Sequence, residues 1–181
     1  MMLKELNKDF KETAIGLIPV DWEAIKLENI VNIYLGLTYT PEYVSEGVPF
    51  LSVKDINGGV INFSKVRYIS KSEFLNSTNN AKPKRGDILF GRVGTLGNPI
   101  LIDMDIDFCI FVSLGFLRLK QENYDRNYLI HWMWSDIFIK QIDSEVSGSS
   151  QKNLNTGWLK KFFLTNPPLS EQKEIAQILS T

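Results

Sequence analysis

Short runs of apolar residues, separated by glycine, proline and polar clusters, fill most of the first 120 positions and predict β-strands. Turn signals bound these runs, for example the Asn-Gly-Gly sequence at 57–59. The predicted strands lie within residues 25–37, 48–53, 60–69, 88–90, 100–102, 108–119 and 162–164. Many short strands with few helices favour an α+β fold, in which a twisted sheet packs against a few helices, over a doubly wound fold.

One long helix is predicted from Asp125 to about Asp143, because apolar residues recur there at helical spacing. They form a stripe that we expect to face the core: Tyr128, Leu129, Trp132, Met133, Ile137 and Ile142. Shorter helices are predicted after Ser70, which forms a capping box with Glu73, and after Thr156.

A final helix is expected to start at Ser170, with Glu171 in its first turn. Its apolar seam consists of Ile175, Ile178 and Leu179. A seam that starts this late has little of the domain left to pack against. We therefore predict that these three residues bind a partner.

The pattern divides the chain into three segments, and 181 residues suit one domain with an appendage. Residues 1–20 are predicted to be an N-terminal arm, which docks on the domain near Trp22. Residues 21–166 are predicted to form the globular domain, and residues 167–181 the start of a longer helix. The apolar residues expected to dock the arm are Leu17, Ile18 and Trp22.

The composition is that of an ordinary soluble domain, with 44% hydrophobic and 23% charged residues. Its longest apolar run, residues 108–112, is far shorter than the ~20 residues that span a bilayer. We therefore expect a cytoplasmic protein that does not bind a membrane.

Catalytic and metal chemistry find little support in the residue types present. Cys109 is the single cysteine and His131 the single histidine, which excludes an intrachain disulfide and argues against a Cys/His zinc site. Asp103, Asp105 and Asp107 alternate as in a calcium loop, but the glycine and distal glutamate of that motif are missing. We predict no catalytic residue and no metal.

The charge is unevenly distributed, although the formal net charge is only −1. Residues 52–92 carry 8 basic and 3 acidic side chains. A local positive surface on a neutral body suits binding of an anionic polymer at one place. The alternative is a solvated face whose charges are balanced by acidic groups nearby in space.

The glycine-spaced loop at 91–97 follows a predicted strand and contains Arg92. It does not match a nucleotide-binding loop, because Arg92 and Val93 stand where a P-loop requires lysine and a hydroxyl. A plain β-turn is one interpretation. The other is that Arg92 contacts a DNA phosphate or base edge.

The sequence Asn-Pro-Pro-Leu at 166–169 resembles the Asn-Pro-Pro-aromatic motif of adenine-N6 methyltransferases. Leu169 cannot stack on a base as an aromatic ring does, and no glycine-rich cofactor motif precedes the sequence. A strand end followed by a helix start is therefore the better interpretation.

The polar stretch at 147–153 consists of small, amide and lysine residues. Such side chains can pair with base edges or phosphates, but the same composition is typical of a surface loop. Both interpretations stay open.

Several of these segments together resemble one target-recognition domain of a type I restriction-modification specificity subunit. The residues that carry the resemblance are 15–22, 48–56, 84–89, 92–97, 147–153 and 167–176. The resemblance implies a DNA methylase specificity-domain fold and a non-catalytic subunit that recognises one half of a bipartite DNA site. Residues 21–166 would be the recognition domain and residues 167–181 the start of the spacer helix.

The same resemblance implies partners and a cofactor held elsewhere. Methyltransferase subunits, which carry S-adenosylmethionine, dock on the spacer helices, and a restriction and motor subunit joins for DNA cleavage. A full subunit has two recognition domains and this sequence has one. The resemblance therefore leaves three alternatives open, namely a half-subunit that pairs with a second copy of itself, a truncated or rearranged gene, and a fragment.

Charge and loop position select the candidate DNA-binding residues, because base-reading residues diverge too strongly within the family to be carried over. They are Thr38, Tyr39, Lys54, Lys84, Arg85, Arg92, Ser149, Gln151 and Lys152. Two other functions stay open. One is a small adenine-N6 methyltransferase or a fragment of a fused restriction-methylation enzyme, and the other is a protein-interaction module without a DNA role.

Overall fold

The computed structural model describes residues 9–146 and 153–181. Its strands are β1 Phe10–Thr13, β2 Gly16–Pro19, β3 Glu23–Lys26, β4 Val31–Leu35, β5 Tyr43–Val44, β6 Val48–Leu51, β7 Ile56–Asn57, β8 Val60–Ile61, β9 Arg67–Ile69, β10 Ile88–Gly91, β11 Gly97–Leu101, β12 Cys109–Ile110, β13 Leu114–Leu119 and β14 Phe163–Asn166. Its α-helices are α1 Leu27–Ile30, α2 Lys71–Asn76, α3 Arg126–Trp134, α4 Asp136–Val146, α5 Thr156–Lys161 and α6 Leu169–Leu179. Short 3-10 turns occur at Val53–Asp55, Phe63–Lys65 and Asn79–Ala81.

Two four-stranded sheets form the body of the domain. The first has the order β11-β10-β13-β4 and is antiparallel throughout. The second has the order β12-β6-β9-β5, with β12 parallel to β6 and the other pairs antiparallel. Separate two-stranded pairs are β1-β2, β7-β8 and β3-β14. The predicted α+β fold, with many short strands and a few helices, is confirmed.

Strand β10 lies between two apolar layers, because its alternate side chains point to opposite faces. Ile88 and Phe90 belong to a cluster with residues of α3, α4 and α5, such as Leu129. Leu89 belongs to a second cluster, together with Phe116 and other residues. All of these side chains are buried. The β10 strand is therefore held rigidly at both faces, and so is the start of the glycine loop that follows it.

The prediction of one long helix is wrong in one respect, because the chain forms two helices, α3 and α4, that are separated at Ser135. Ser135 has extended backbone angles, and its Oγ donates to the carbonyl oxygen of Trp132 at 2.6 Å. This side chain thus competes with the helical hydrogen-bond pattern. The predicted start is confirmed, because Asp125 accepts a hydrogen bond from Tyr128 N–H. Five of the six stripe residues are buried, namely Tyr128, Leu129, Trp132, Met133 and Ile142.

Two other helix starts differ from the prediction by one residue. Asn155 caps α5 by accepting from Gly157 N–H at 2.7 Å, and Thr156 is already helical. Helix α6 begins at Leu169 after Pro168 and has no side-chain cap, so Ser170 lies within its first turn. The first hydrogen bond of the helix runs from the N–H of Gln172 to the carbonyl oxygen of Pro168 at 3.0 Å. Of the capping box predicted at Ser70, the half formed by Ser70 is confirmed, because Ser70 Oγ accepts from the N–H of Glu73 at 3.0 Å. The Glu73 carboxylate accepts from the Tyr39 hydroxyl.

The N-terminal arm contains the β1-β2 hairpin, and residues 1–8 lie outside the described part. Ile18 is buried as predicted, with 3% exposure, but Leu17 is 65% exposed, so docking through Leu17 is wrong. Neighbouring strand residues point to opposite faces, and only one of the two can face the domain. Trp22 is half-buried, and its Nε1 donates to Glu171 Oε2 at 3.0 Å. In residues 9–146 and 153–181, no helix is long and apolar enough to cross a bilayer.

Candidate nucleic-acid interface

Three distant chain segments meet at the turn between β12 and β13. The N–H of Val112 donates to the carbonyl oxygen of Leu37 at 2.8 Å. The N–H of Val53 donates to Ser113 Oγ at 3.1 Å, and the N–H of Arg92 donates to the carbonyl oxygen of Ser113 at 2.9 Å. The predicted DNA-binding residues at or directly after these contacts are Thr38, Lys54 and Arg92. Three candidates that are far apart in sequence thus surround one turn, which we call the 111–113 turn.

The C-terminal end of the polar stretch reaches the same place. Asn153 forms an isolated antiparallel bridge with Val93, and the N–H of Leu154 donates to the carbonyl oxygen of Arg92 at 2.8 Å. The other predicted residues of this stretch lie outside the described residues, namely Ser149, Gln151 and Lys152. The described contacts therefore attach one end of the polar stretch to the glycine loop.

The glycine loop closes the β10-β11 hairpin and is tightly folded. A Cβ atom on Gly91 would lie 2.1 Å from the carbonyl oxygen of Thr95, which no side chain could accommodate. Gly91 pairs with Gly97, and the ladder shifts register between Leu89 and Gly91. The loop leads into strand β11 and not into a helix, so it lacks the helix N-terminus on which a P-loop holds its phosphates.

Arg92 is the most constrained cation of the interface. Its side chain is half-buried, and Nη1 donates to the carbonyl oxygen of Val112 at 3.2 Å. Among the residues that the structure describes, its buried Nε has no hydrogen-bond partner, which is uncommon for a buried donor. Burial lowers the pKa of the guanidinium. Within residues 9–146 and 153–181, no carboxylate forms an ion pair with Arg92. The solvent-exposed part of a guanidinium without a carboxylate partner can gain free energy by binding an anion.

Thr38 and Tyr39 lie at the rim of the interface, and both are exposed. The Tyr39 hydroxyl donates to Glu73 Oε1 at 2.6 Å, and this hydrogen bond is the main reason why the pKa of Tyr39 is raised. The hydroxyl is therefore already engaged, whereas much of the ring faces solvent. Tyr39 can offer an aromatic surface to a ligand more readily than a hydrogen-bond donor.

Lys84 and Arg85 lie at the other end of β10 from Arg92. The four residues of this strand separate them from the glycine loop by about 13 Å of extended chain. Arg85 forms an exposed ion pair with Asp105 at 2.6 Å. The structure does not bring these two residues to the 111–113 turn, and their role in DNA binding stays a separate prediction.

The β7-β8 hairpin lies beside the glycine loop, and the sequence pattern identified it only as a turn. The N–H of Gly59, at its tip, donates to Asn98 Oδ1 at 3.2 Å. Asn98 follows the loop directly and has a left-handed φ of 52°. Asn57 and Val60 are exposed on this hairpin. The Asn-Gly-Gly turn at 57–59 was the available signal, but it does not indicate what the hairpin lies against.

The Asn-Pro-Pro sequence is a strand end followed by a helix start, as predicted. Gln172 Nε2 donates to the carbonyl oxygen of Pro167 at 2.9 Å and lies 3.4 Å from Asn166 Oδ1. Pro167 is buried. The two acceptors that would hold a target amino group in a methyltransferase thus face Gln172, which does not favour the methyltransferase alternative.

The titratable residues considered for catalysis lie in unrelated places. His131 Nε2 is 3.0 Å from Ser180 Oγ, and Asp105 is paired with Arg85. Within the described ranges, no three histidine, cysteine, aspartate or glutamate side chains come together as a metal-binding group.

The three residues predicted to bind a partner differ in exposure. Ile175 is half-buried and packs against the cluster that contains Leu129, whereas Ile178 is 71% and Leu179 58% exposed. Helices α3 and α6 run side by side in the same direction, since Asp125 contacts Gln172 near their starts and His131 contacts Ser180 near their ends. The exposed part of the seam therefore lies on the last turn of α6.

Comparison with known proteins relates this architecture to one family. Residues 19–181 match the type I restriction modification DNA specificity domain. The chain is 29% identical over 181 residues to the type I restriction enzyme MjaVIII specificity subunit of Methanocaldococcus jannaschii, covering 97% of this chain and 42% of the relative. It is 27% identical to the EcoBI specificity subunit of Escherichia coli, covering 89% of this chain and 35% of the relative.

Solved structures have the same fold at lower sequence identity. A chain from a structure on complex assembly and conformational transition of the type I R-M system superposes with a TM-score of 0.69 at 20% identity, covering 99% of this chain and 42% of that chain. The HsdS subunit from Thermoanaerobacter tengcongensis superposes with a TM-score of 0.66 at 19% identity, covering 99% of this chain and 41% of that chain. The chain spans less than half the length of these relatives. From the family match over residues 19–181, the chain belongs to the type I restriction-modification DNA specificity domain family.

Proposed function

We propose that this chain recognises a specific DNA sequence as one target-recognition domain of a type I restriction-modification specificity subunit. The observation that carries the proposal is that Leu37, Val53 and Arg92 bond to the 111–113 turn, which brings the candidates Thr38, Lys54 and Arg92 close to it. In the described part of the chain, neither of the two cations forms an ion pair with a carboxylate. Cations without a carboxylate partner can bind the phosphates of a DNA backbone, and the loop ends beside them can contact base edges. This arrangement suits DNA recognition by a domain of this family.

The candidate residues divide into two roles. Lys54 and Arg92 would contact phosphates and fix the register of the domain on the duplex, because cations contribute most to sequence-independent affinity. Thr38, the ring of Tyr39 and the polar stretch at 147–153 would lie closer to the bases. Each good bidentate contact to a base adds ~1–3 kcal/mol of discrimination.

We further propose that partner subunits supply the chemistry. The methyltransferase subunits would bind S-adenosylmethionine and dock on α6, where Ile178 and Leu179 are exposed, and a restriction and motor subunit would carry out cleavage. A bipartite site needs a second recognition domain, supplied by more chain or by a second copy. This chain would itself catalyse no reaction, and it would act in the cytoplasm, where these partners meet the DNA.

The experiment that tests this function mixes the chain with its methyltransferase partner and selects bound fragments from random DNA. Enrichment of a half-site or bipartite motif is the expected result. Absence of any enriched motif, in a mixture that demonstrably forms a complex, would reject sequence recognition. Binding of S-adenosylmethionine by the isolated chain would instead support the methyltransferase alternative.

Replacing Arg92 with alanine should weaken binding to the selected site by about tenfold or more, because a charge-assisted contact and part of the loop anchoring are lost together. Fluorescence anisotropy with a labelled duplex measures the change. Arg67→Ala is the matched control, since Arg67 is exposed and stacks on the ring of Tyr43 at 4.6 Å. Equal affinity of the Arg92→Ala variant and the wild type would remove Arg92 from the interface.

Lys54→Ala should reduce the slope of log affinity against log salt by about one unit, and it should do so equally for specific and non-specific duplexes. Lys54 is exposed, so its removal leaves the fold intact. Lys11→Ala, at an exposed site on β1, serves as the control and should leave the slope unchanged. If the two variants have the same slope, Lys54 does not contact a phosphate.

A further inference from the structure

The β7-β8 hairpin presents one polar and one apolar side chain next to each other. Its register pairs Ile56 with Ile61 and Asn57 with Val60. Directly opposed residues lie on the same face of a two-stranded ribbon, and successive pairs lie on opposite faces. The two isoleucines are buried, whereas Asn57 is exposed and Val60 is 64% exposed. The carboxamide and the isopropyl group therefore share the solvent face.

The hairpin is held at its base and at its tip. At the base, the N–H of Ser52 donates to Asp55 Oδ2 at 2.7 Å, and the N–H of Asn62 donates to the carbonyl oxygen of Asp55 at 2.8 Å. At the tip, Gly58 and Gly59 have left-handed φ values of 55° and 80°, typical of the tight two-residue hairpin turn. The tip is tied to Asn98 as described above. A ribbon fixed in this way loses little conformational entropy when it binds.

The hairpin is continuous with the interface around the 111–113 turn. Val53, which immediately precedes Lys54, donates its N–H to Ser113 Oγ. A Cγ atom of Val53 lies 3.3 Å from the position that a Cβ on Gly91 would occupy. Lys54 is an exposed cation in the turn that connects Val53, which lies beside the glycine loop, to the base of the ribbon.

We infer that the β7-β8 hairpin enters the DNA major groove and reads an A·T base pair through Asn57 and Val60. The major groove admits a two-stranded ribbon. A carboxamide can bond bidentately to N6 and N7 of adenine, and an apolar group can contact the thymine methyl. An A·T pair presents both features side by side, as Asn57 and Val60 present their complements. The inference rests on the proposed DNA-recognition function and assigns specificity to residues outside the candidate set.

The test repeats the selection from random DNA with the wild-type chain, Asn57→Ala and Val60→Ala, each in the methyltransferase complex. Controls are Asn80→Ala and Val20→Ala, at exposed sites on other parts of the chain. We expect both hairpin variants to lose preference for A·T at one or two adjacent positions, by about fivefold or more, while the rest of the motif is retained. The controls should select the wild-type motif.

A second measurement isolates the methyl contact. Deoxyuridine, which lacks the methyl group, replaces thymidine at the affected position of the selected duplex. The wild type should bind this duplex more weakly than the thymidine duplex, and Val60→Ala should bind both equally. This comparison does not depend on the absolute stability of the variant.

The outcomes separate the two claims. Hairpin variants that select the unchanged wild-type motif would overturn the reading role and leave the proposed function standing. A wild type that selects no motif would overturn both. Loss of methyltransferase binding by Val60→Ala, with DNA preference unchanged, would assign the exposed valine to a protein contact and would also overturn the inference.

Discussion

Replacing Asp87 with alanine is expected to lower the free energy of unfolding by about 3 kcal/mol, because it removes the partner of a largely buried arginine. Arg118 donates from Nε to Asp87 Oδ1 at 2.8 Å and from Nη2 to Oδ2 at 2.6 Å. The side chain of Asp87 is 4% exposed and that of Arg118 26%. The carboxylate raises the pKa of Arg118. Without the carboxylate the arginine would still be charged, because the ordinary pKa of a guanidinium lies far above neutral pH.

The ion pair also holds the turn before β10. Asp87 Oδ2 accepts a further hydrogen bond from the N–H of Lys84 at 2.8 Å, and Arg118 lies on β13. Asp87→Ala therefore leaves a backbone donor and a guanidinium without their acceptor at once. The remaining solvent contact of Arg118 places the expected loss at the lower end of the about 3–5 kcal/mol typical of broken buried pairs.

Urea unfolding measures this effect as a shift of the midpoint at constant m value. Arg85→Ala is the matched control, because it breaks the exposed pair with Asp105 and should change stability by no more than about 1 kcal/mol. The double variant Asp87→Ala/Arg118→Leu should regain part of the loss, since no unpaired charge remains. Equal midpoints for Asp87→Ala and Arg85→Ala would contradict the structural role assigned to the buried pair.

The helical part of the fold was largely predictable from local pattern. The spacing of Tyr128, Leu129 and Trp132 identifies the buried face of α3, and Asp125 is a recognisable cap. The interruption at Ser135 was not predictable from this pattern, because apolar residues continue at near-helical spacing across it. A single serine that bonds back to the carbonyl of Trp132 does not alter that period.

The candidate site was predictable in residue type but not in arrangement. Charge and turn signals selected Lys54 and Arg92. They also selected Lys84, which lies at the opposite end of strand β10 from Arg92. Nothing local indicates that Leu37, Val53 and Arg92 bond to one turn, because those contacts join residues that are about 20 to 75 positions apart. Long-range pairing decides which cations form a surface, whereas periodicity reports only which face a residue occupies.

Gln172 also bonds to a residue that is far from it in sequence, Asp125, and the second prediction with a large expected effect concerns this side chain. It is 1% exposed; its Oε1 accepts from the N–H of Asp125 at 2.8 Å, and its Nε2 donates to the carbonyl oxygen of Pro167 at 2.9 Å. One side chain thus joins the start of α3, the end of β14 and the first turn of α6. We expect the direction of α6 relative to the recognition domain to depend on this residue.

Gln172→Leu, which keeps the volume but not the polar groups, should lower the free energy of unfolding by about 3 kcal/mol, because two backbone groups lose their partners. Gln177→Leu, at an exposed position of the same helix, should change it by less than about 0.5 kcal/mol.

Gln172→Glu should be destabilised at neutral pH, where a carboxylate would face the carbonyl oxygen of Pro167. Its pKa would then be raised in the folded state, so stability should recover as the pH falls toward about 4. Chemical unfolding at several pH values checks both results, and a Gln172→Glu variant as stable as wild type at neutral pH would mean that the amide is not required.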